Sequence, residues 1–122
     1  MLRIKAYLVI TRNTVRDFLD VAALSDTIGI DASLDALASL DRLYPQDGDR
    51  GAVRHQLLRQ LAGPHPIEEE AGVELDMSEY KDIDPRWASW SAVTARCLRL
   101  SVAMGEAVAE ERDGWRDLEV AP

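Results

Sequence analysis

A lysine at position 5, an arginine at 16 and aspartates at 17 and 20 stand close together in RIKAYLVITRNTVRDFLD, residues 3 to 20, among mostly apolar side chains. Such a group could be the charged wall of a nucleotide site, because cations neutralise phosphate oxygens. A plainer reading is structural. Arg16 and Asp20 are four apart, the spacing of a helical surface ion pair worth about 0.3 to 0.5 kcal/mol. Asp17 follows Thr14 by three, as in a capping box. Other chemistries find fewer residues. His55 lies within VRHQLLRQL, His65 stands between prolines and Cys97 is the sole cysteine, so no zinc-type spacing exists. Neither a Gly-rich phosphate loop nor a serine nucleophile elbow is present. Glu68 to Glu70 read as a solvated run, with calcium binding a distant second.

The elements that must position these residues are mainly helical. Thr14 opens a helix that runs to about Ser25, carries Phe18, Val21, Ala22 and Leu24, and meets Gly29 near its end. A second begins near Asp31, presents Leu34, Leu37, Ala38 and Leu43, and stops before Pro45. QDGDRG follows as a loop, and Val53, Leu57 and Leu61 mark a short amphipathic helix from about Gly51 to Ala62, closed by GPHP. Trp90, Val93, Cys97, Leu100, Met104 and Val108 draw one apolar stripe along a long final helix, capped by Ser91 and reaching about Glu111. Between His65 and Pro85 the acids lack periodicity, which predicts an irregular surface connection locked down by Trp87 and Trp90. The opening is ambiguous: Leu2, Ile4, Ala6, Leu8 and Ile10 alternate with their neighbours as in a strand, yet no second strand offers itself. Either this segment is helical or its partner is another chain. The expected fold is a small irregular helical bundle with a long C-terminal helix, one domain over residues 1 to 112, and a flexible tail from 113 to 122.

Composition bounds what this domain could bind. Residues 1 to 62 carry eight Lys/Arg against eight Asp/Glu, whereas residues 63 to 122 carry six against fourteen, giving a net charge of −8. Such an acidic chain is repelled by phosphate backbones and anionic membrane surfaces, which argues against autonomous nucleic-acid binding and against a membrane partner. A lone cysteine within an apolar stripe reads as a buried thiol in a reducing compartment, and the short run Ala6 to Ile10 is neither a secretory signal nor a span. These features predict a cytoplasmic protein.

The stretch RIKAYLVITRNTVRDFLDVAALSD resembles the C-terminal motif region of AbiEii-type nucleotidyltransferase toxins, in which a lysine-bearing helix precedes an Arg-Asp-x-x-Asp helix. SLDRLYPQ, LLRQLAGPHP and YKDIDPRWASWSAV extend the resemblance to about residue 108. It implies Mg2+ and an NTP as cofactors, Lys5 on the triphosphate, Asp20 as the late catalytic carboxylate, Asp17 as a second candidate, and Arg16 on phosphate or orienting Asp20. The family's Gly-Ser loop and Asp-x-Asp pair are missing. Asp47 to Asp49 lie in a turn, Asp82 to Asp84 run into Pro85, and Ile4 replaces the glutamate that precedes the family's lysine. The resemblance therefore implies a partial toxin domain that does not catalyse nucleotidyl transfer alone and is completed by a missing N-terminal half or met by a cognate antitoxin. The alternative is a small helical interaction module without chemistry of its own, forming a homodimer or pairing its N-terminal segment with a partner.

Overall fold

The computed structural model describes residues 1–44, 52–70, 77 and 84–120, and every regular element among them is helical. The opening segment is helix α1, Leu2–Arg12, not a strand. Its alternation is overridden by burial at helical spacing, for Leu2, Ala6 and Val9 enter the core while Ile4 stays 58% exposed. A helix also closes its own backbone hydrogen bonds, so no partner strand is required. Asn13 ends α1 in the left-handed region at φ 54°, a conformation asparagine tolerates, and returns its N–H to Val9 O at 3.0 Å.

Helix α2, Val15–Ile28, begins at the expected capping box. Gly29, at φ 91°, both terminates α2 and starts α3, Ile30–Leu37, a backbone geometry open to glycine at little cost. Asp31 is therefore inside the first turn of α3 and is not its cap. The single helix expected up to Pro45 is split into α3 and α4, Leu40–Leu43. At the break the Ser39 hydroxyl donates to Ala36 O at 3.2 Å and competes with the helical ladder.

Helix α5, Val53–Ala62, is followed by a short α6, Ile67–Glu70, where an irregular connection was expected. Most of that connection, with the QDGDRG loop, Asp47, Asp49 and Asp82, lies outside the described residues. Met77 is buried within the core, and a 3-10 turn, Pro85–Trp87, leads to the last helix. Helix α7 spans Trp90–Val120, past the predicted end near Glu111, on a sequence with no proline before Pro122. Its cap is Ser89, whose hydroxyl accepts the Ala92 N–H at 3.2 Å, in place of Ser91.

Helix α7 packs along α5 and α2, and α1 lies against α2 and α5. Phe18, Leu57, Leu61, Val93, Cys97 and Leu100 are fully enclosed at the centre. Trp87 is buried and Trp90 meets Phe18 edge to face, with ring centroids 6.0 Å apart, so both indoles fasten the chain as expected. Tyr7 stacks on Tyr44 at 4.0 Å and ties α1 to the end of α4.

Candidate functional site

The corner where α1 turns into α2 gathers all the residues singled out for chemistry. Thr14 is extended, so its hydroxyl receives the Asp17 N–H at 3.2 Å. Asp17 in turn accepts the Thr14 N–H at 3.1 Å and the Thr14 hydroxyl at 2.6 Å. Its carboxylate is 1% exposed, and Arg12 lies 3.5 Å away across its outer oxygen. One turn on, Asp20 is clasped between two cations: Lys5 Nζ from α1 at 3.2 Å and Arg16 Nε from its own helix at 3.2 Å. The structure thus brings Lys5, Arg16 and Asp20 into one cluster and sets Asp17 apart beneath them as a cap.

Glu68 joins the corner, contrary to its expected place in a solvated run. Both of its oxygens accept the Val15 N–H, at 3.2 and 3.1 Å, because the free amides at the start of α2 attract a carboxylate. Asn13 donates to His65 O at 2.8 Å, and Gln60 donates to Val9 O at 3.0 Å. Asn13, Gln56, Arg59, Gln60, Gly63 and His65 line an open cleft of about 340 Å³ beside this corner. A much smaller hollow, of about 30 Å³, lies between Leu34, Leu37, Met104 and Arg54.

Two further charge networks were not foreseen, because their members are far apart in sequence. At the end of α2, Arg96 donates to Ser25 O at 2.9 Å, a cation placed where the helix dipole favours one. Asp26 beside it accepts from Arg86 at 2.7 Å, and Arg86 also holds Asp84 at 3.2 Å. Asp84, which caps the 3-10 turn, has its carboxyl held below the usual range by the Arg86 N–H and then the Arg86 side chain. Across the bundle Arg54 forms a fork on Glu111, with distances of 3.0 and 2.9 Å. That pairing lowers the Glu111 carboxyl pKa. Asp41 accepts the Arg54 N–H at 2.9 Å, while Arg54 Nε, buried and without a hydrogen-bond partner, stands 3.9 Å from the other Asp41 oxygen.

Chemically, these arrangements compensate charge within the fold. Among the described residues no three histidine, cysteine or acidic side chains converge as a metal site, and no helix is long and apolar enough to cross a membrane. Cys97 is enclosed, its thiol pushed up to about 12 by burial, and it has the inert character expected of a core cysteine.

No family model and no solved structure matches the chain. Curated relatives do. The probable transport protein MmpL11 of Mycobacterium leprae is 37% identical over 106 residues, 86% of this chain and 10% of the relative. The mycolic acid-containing lipids exporter MmpL11 of Mycolicibacterium smegmatis is 38% identical over the same shares. The haem uptake protein MmpL11 of Mycobacterium tuberculosis is 35% identical, again over 86% of this chain. The chain spans about a tenth of the length of these relatives.

These relatives overturn the resemblance to nucleotidyltransferase toxins. With it falls the partial toxin domain, since the matching proteins are transport proteins, and these matches lend no support to the alternative of a stand-alone interaction module. The cytoplasmic placement falls for the same reason. The roles of Mg2+ and NTP, and of Lys5, Arg16, Asp17 and Asp20 toward them, rested on that resemblance. Its Arg-Asp-x-x-Asp spacing coincides here with a capping box and an i,i+4 ion pair that overlap in the first two turns of α2.

Proposed function

We propose that this chain is a water-facing helical region of an MmpL11-like transport protein, supporting transport without lodging the cargo. The observation that carries this reading is the 35 to 38% identity to transport proteins over 86% of the chain. Its surface supports the water-facing part. Arg86, Asp84 and Asp26 form an open network, and the Arg54–Glu111 fork ends on a half-exposed carboxylate. Charged groups of this kind are costly against hydrocarbon and are at home in water. The hollows among the described residues support the second part: one is open and lined by amides and Arg59, another, of about 300 Å³, is open and lined by Asp35, Ala38, Ser39 and Arg42, and a third holds about 30 Å³. None of these suits the long apolar chain of a mycolic lipid.

A chimera tests this. In the Mycolicibacterium smegmatis exporter, the 106 matched residues are either deleted or replaced by those of this chain. Transporter abundance in the membrane and export of mycolic acid-containing lipids are then measured. Deletion is expected to abolish export, and replacement to restore it. Export that persists after deletion, or that stays absent with a normally abundant chimera, overturns the proposal.

A further inference from the structure

Helix α7 carries two apolar rows. The inner one, Val93, Cys97, Leu100 and Met104, fills the core. Turned about 150° round the helix at roughly 100° per residue, on nearly the opposite face, a second row runs through Ser91, Ala95, Leu98, Val102, Gly105 and Ala109. No charge interrupts it. Leu98 and Val102 are 49% and 53% exposed, and Ala95 and Ala109 are exposed as well. From Ala95 onward the intervals alternate three and four, the spacing of a coiled-coil seam. Arg99 and Glu106 stand along the same edge of that seam, each following a seam residue, and both are exposed.

We propose that this row is the interface of a homodimer in which two α7 helices lie antiparallel. The commitment to a second copy rests on charge and size together. In an antiparallel pair, like positions along one edge face each other across the seam. A two-fold axis passing between Ala103 and Met104 brings Arg99 to within two residues' rise, about 3 Å along the axis, of Glu106 of the partner subunit, a gap these long side chains span, and by symmetry does so twice. The same register sets Leu98 opposite the partner's Ala109 and Val102 opposite the partner's Gly105. Each layer then joins a large side chain to a small one. A parallel pair offers no such match, since Arg99 would face the uncharged Thr94 or Ser101 of the other copy.

Gly105 adds an independent observation. Glycine within a helix costs about 1 kcal/mol relative to alanine, and the chain's own packing does not call for it. A Cβ placed there would meet only Leu58 Cδ1 at 3.9 Å, an ordinary contact. Close approach of the partner's Val102 gives the missing side chain a use.

The test is sedimentation equilibrium of the 122-residue chain from about 5 to about 500 µM, a range that brackets a micromolar dimer. Arg99→Glu and Glu106→Arg are each compared with the double variant. Circular dichroism melts verify folding, which these exposed positions leave intact. Each single reversal creates two like-charge pairs and is expected to weaken the dimer about ten-fold or more. The double reversal restores it to within about three-fold, and mixing the two single variants yields a heterodimer as tight as the parent dimer. A chain that stays monomeric throughout, or a dimer indifferent to the reversals, overturns the proposal. So does a double variant, or a mixture of singles, that fails to recover.

Discussion

The corner between α1 and α2 and the outer face of α7 dispose of their residues in opposite ways. At the corner, charge is consumed locally: Asp20 lies between Lys5 and Arg16, and Asp17 is spent on Thr14. On α7, Leu98 and Val102 are left in solvent although a complete inner stripe already serves the core. A cluster of reactive-looking residues can therefore be the quieter part of a molecule, and a bland row of small and apolar ones the less settled part.

The largest contrast lies between the two rows of α7. Burial raises the Cys97 thiol from 9.0 to about 12, so at pH 8 its thiolate is scarcer by about a thousand-fold than in the unfolded chain. Iodoacetamide is expected to label Leu98→Cys rapidly and Cys97 only after denaturation. Linkage gives the matching pH effect: the raised folded pKa leaves stability unaffected below 9.0 and removes it as pH climbs toward about 12. An alkaline melting series that stayed flat across this window would contradict the burial.

Next comes the platform that holds both regions. Phe18→Ala removes a fully buried ring and its contact with Trp90, and is expected to cost about 3 to 5 kcal/mol in urea unfolding. Within the corner, Asp17→Ala should cost about 2 kcal/mol, because the Thr14 cap loses its partner. Asp20→Asn should cost less than about 1 kcal/mol, since Lys5 and Arg16 are themselves partly exposed to water. Equal losses for the two aspartates would refute the division between a buried cap and a partly exposed ion pair. The smallest effect has the opposite sign. Gly105→Ala is expected to raise the stability of the dilute, monomeric chain by about 0.5 to 1 kcal/mol.

Local signals in the sequence are legible where one turn of chain contains the cause. The Thr14–Asp17 box, the inner stripe of α7 and the short helix around Leu57 all emerge from spacing. The opening segment is harder because α1 is apolar on more than one side, so its pattern fits a strand as readily as a helix. Only contact with α2 and α5 shows that Leu2, Ala6 and Val9 form the buried set. Ser39 breaks a helix through a hydroxyl whose alternative bond no periodicity displays. Of the candidate site, the Arg16–Asp20 pair was legible in its i,i+4 spacing, whereas the contact of Lys5 with Asp20, fifteen residues apart, was not. The Arg96–Ser25 and Arg54–Glu111 pairings join positions 71 and 57 residues apart and leave no local trace.

Asn13 has a consequence beyond ending a helix. Its carbonyl receives the Ile67 N–H at 2.8 Å, its side chain donates to His65 O, and its amide oxygen accepts from Gln60. Three stretches of chain are thus knotted at one residue. Amide hydrogens at Ile67 and at the start of α2 should exchange with solvent together, in a single opening event, because freeing either requires untying the same knot.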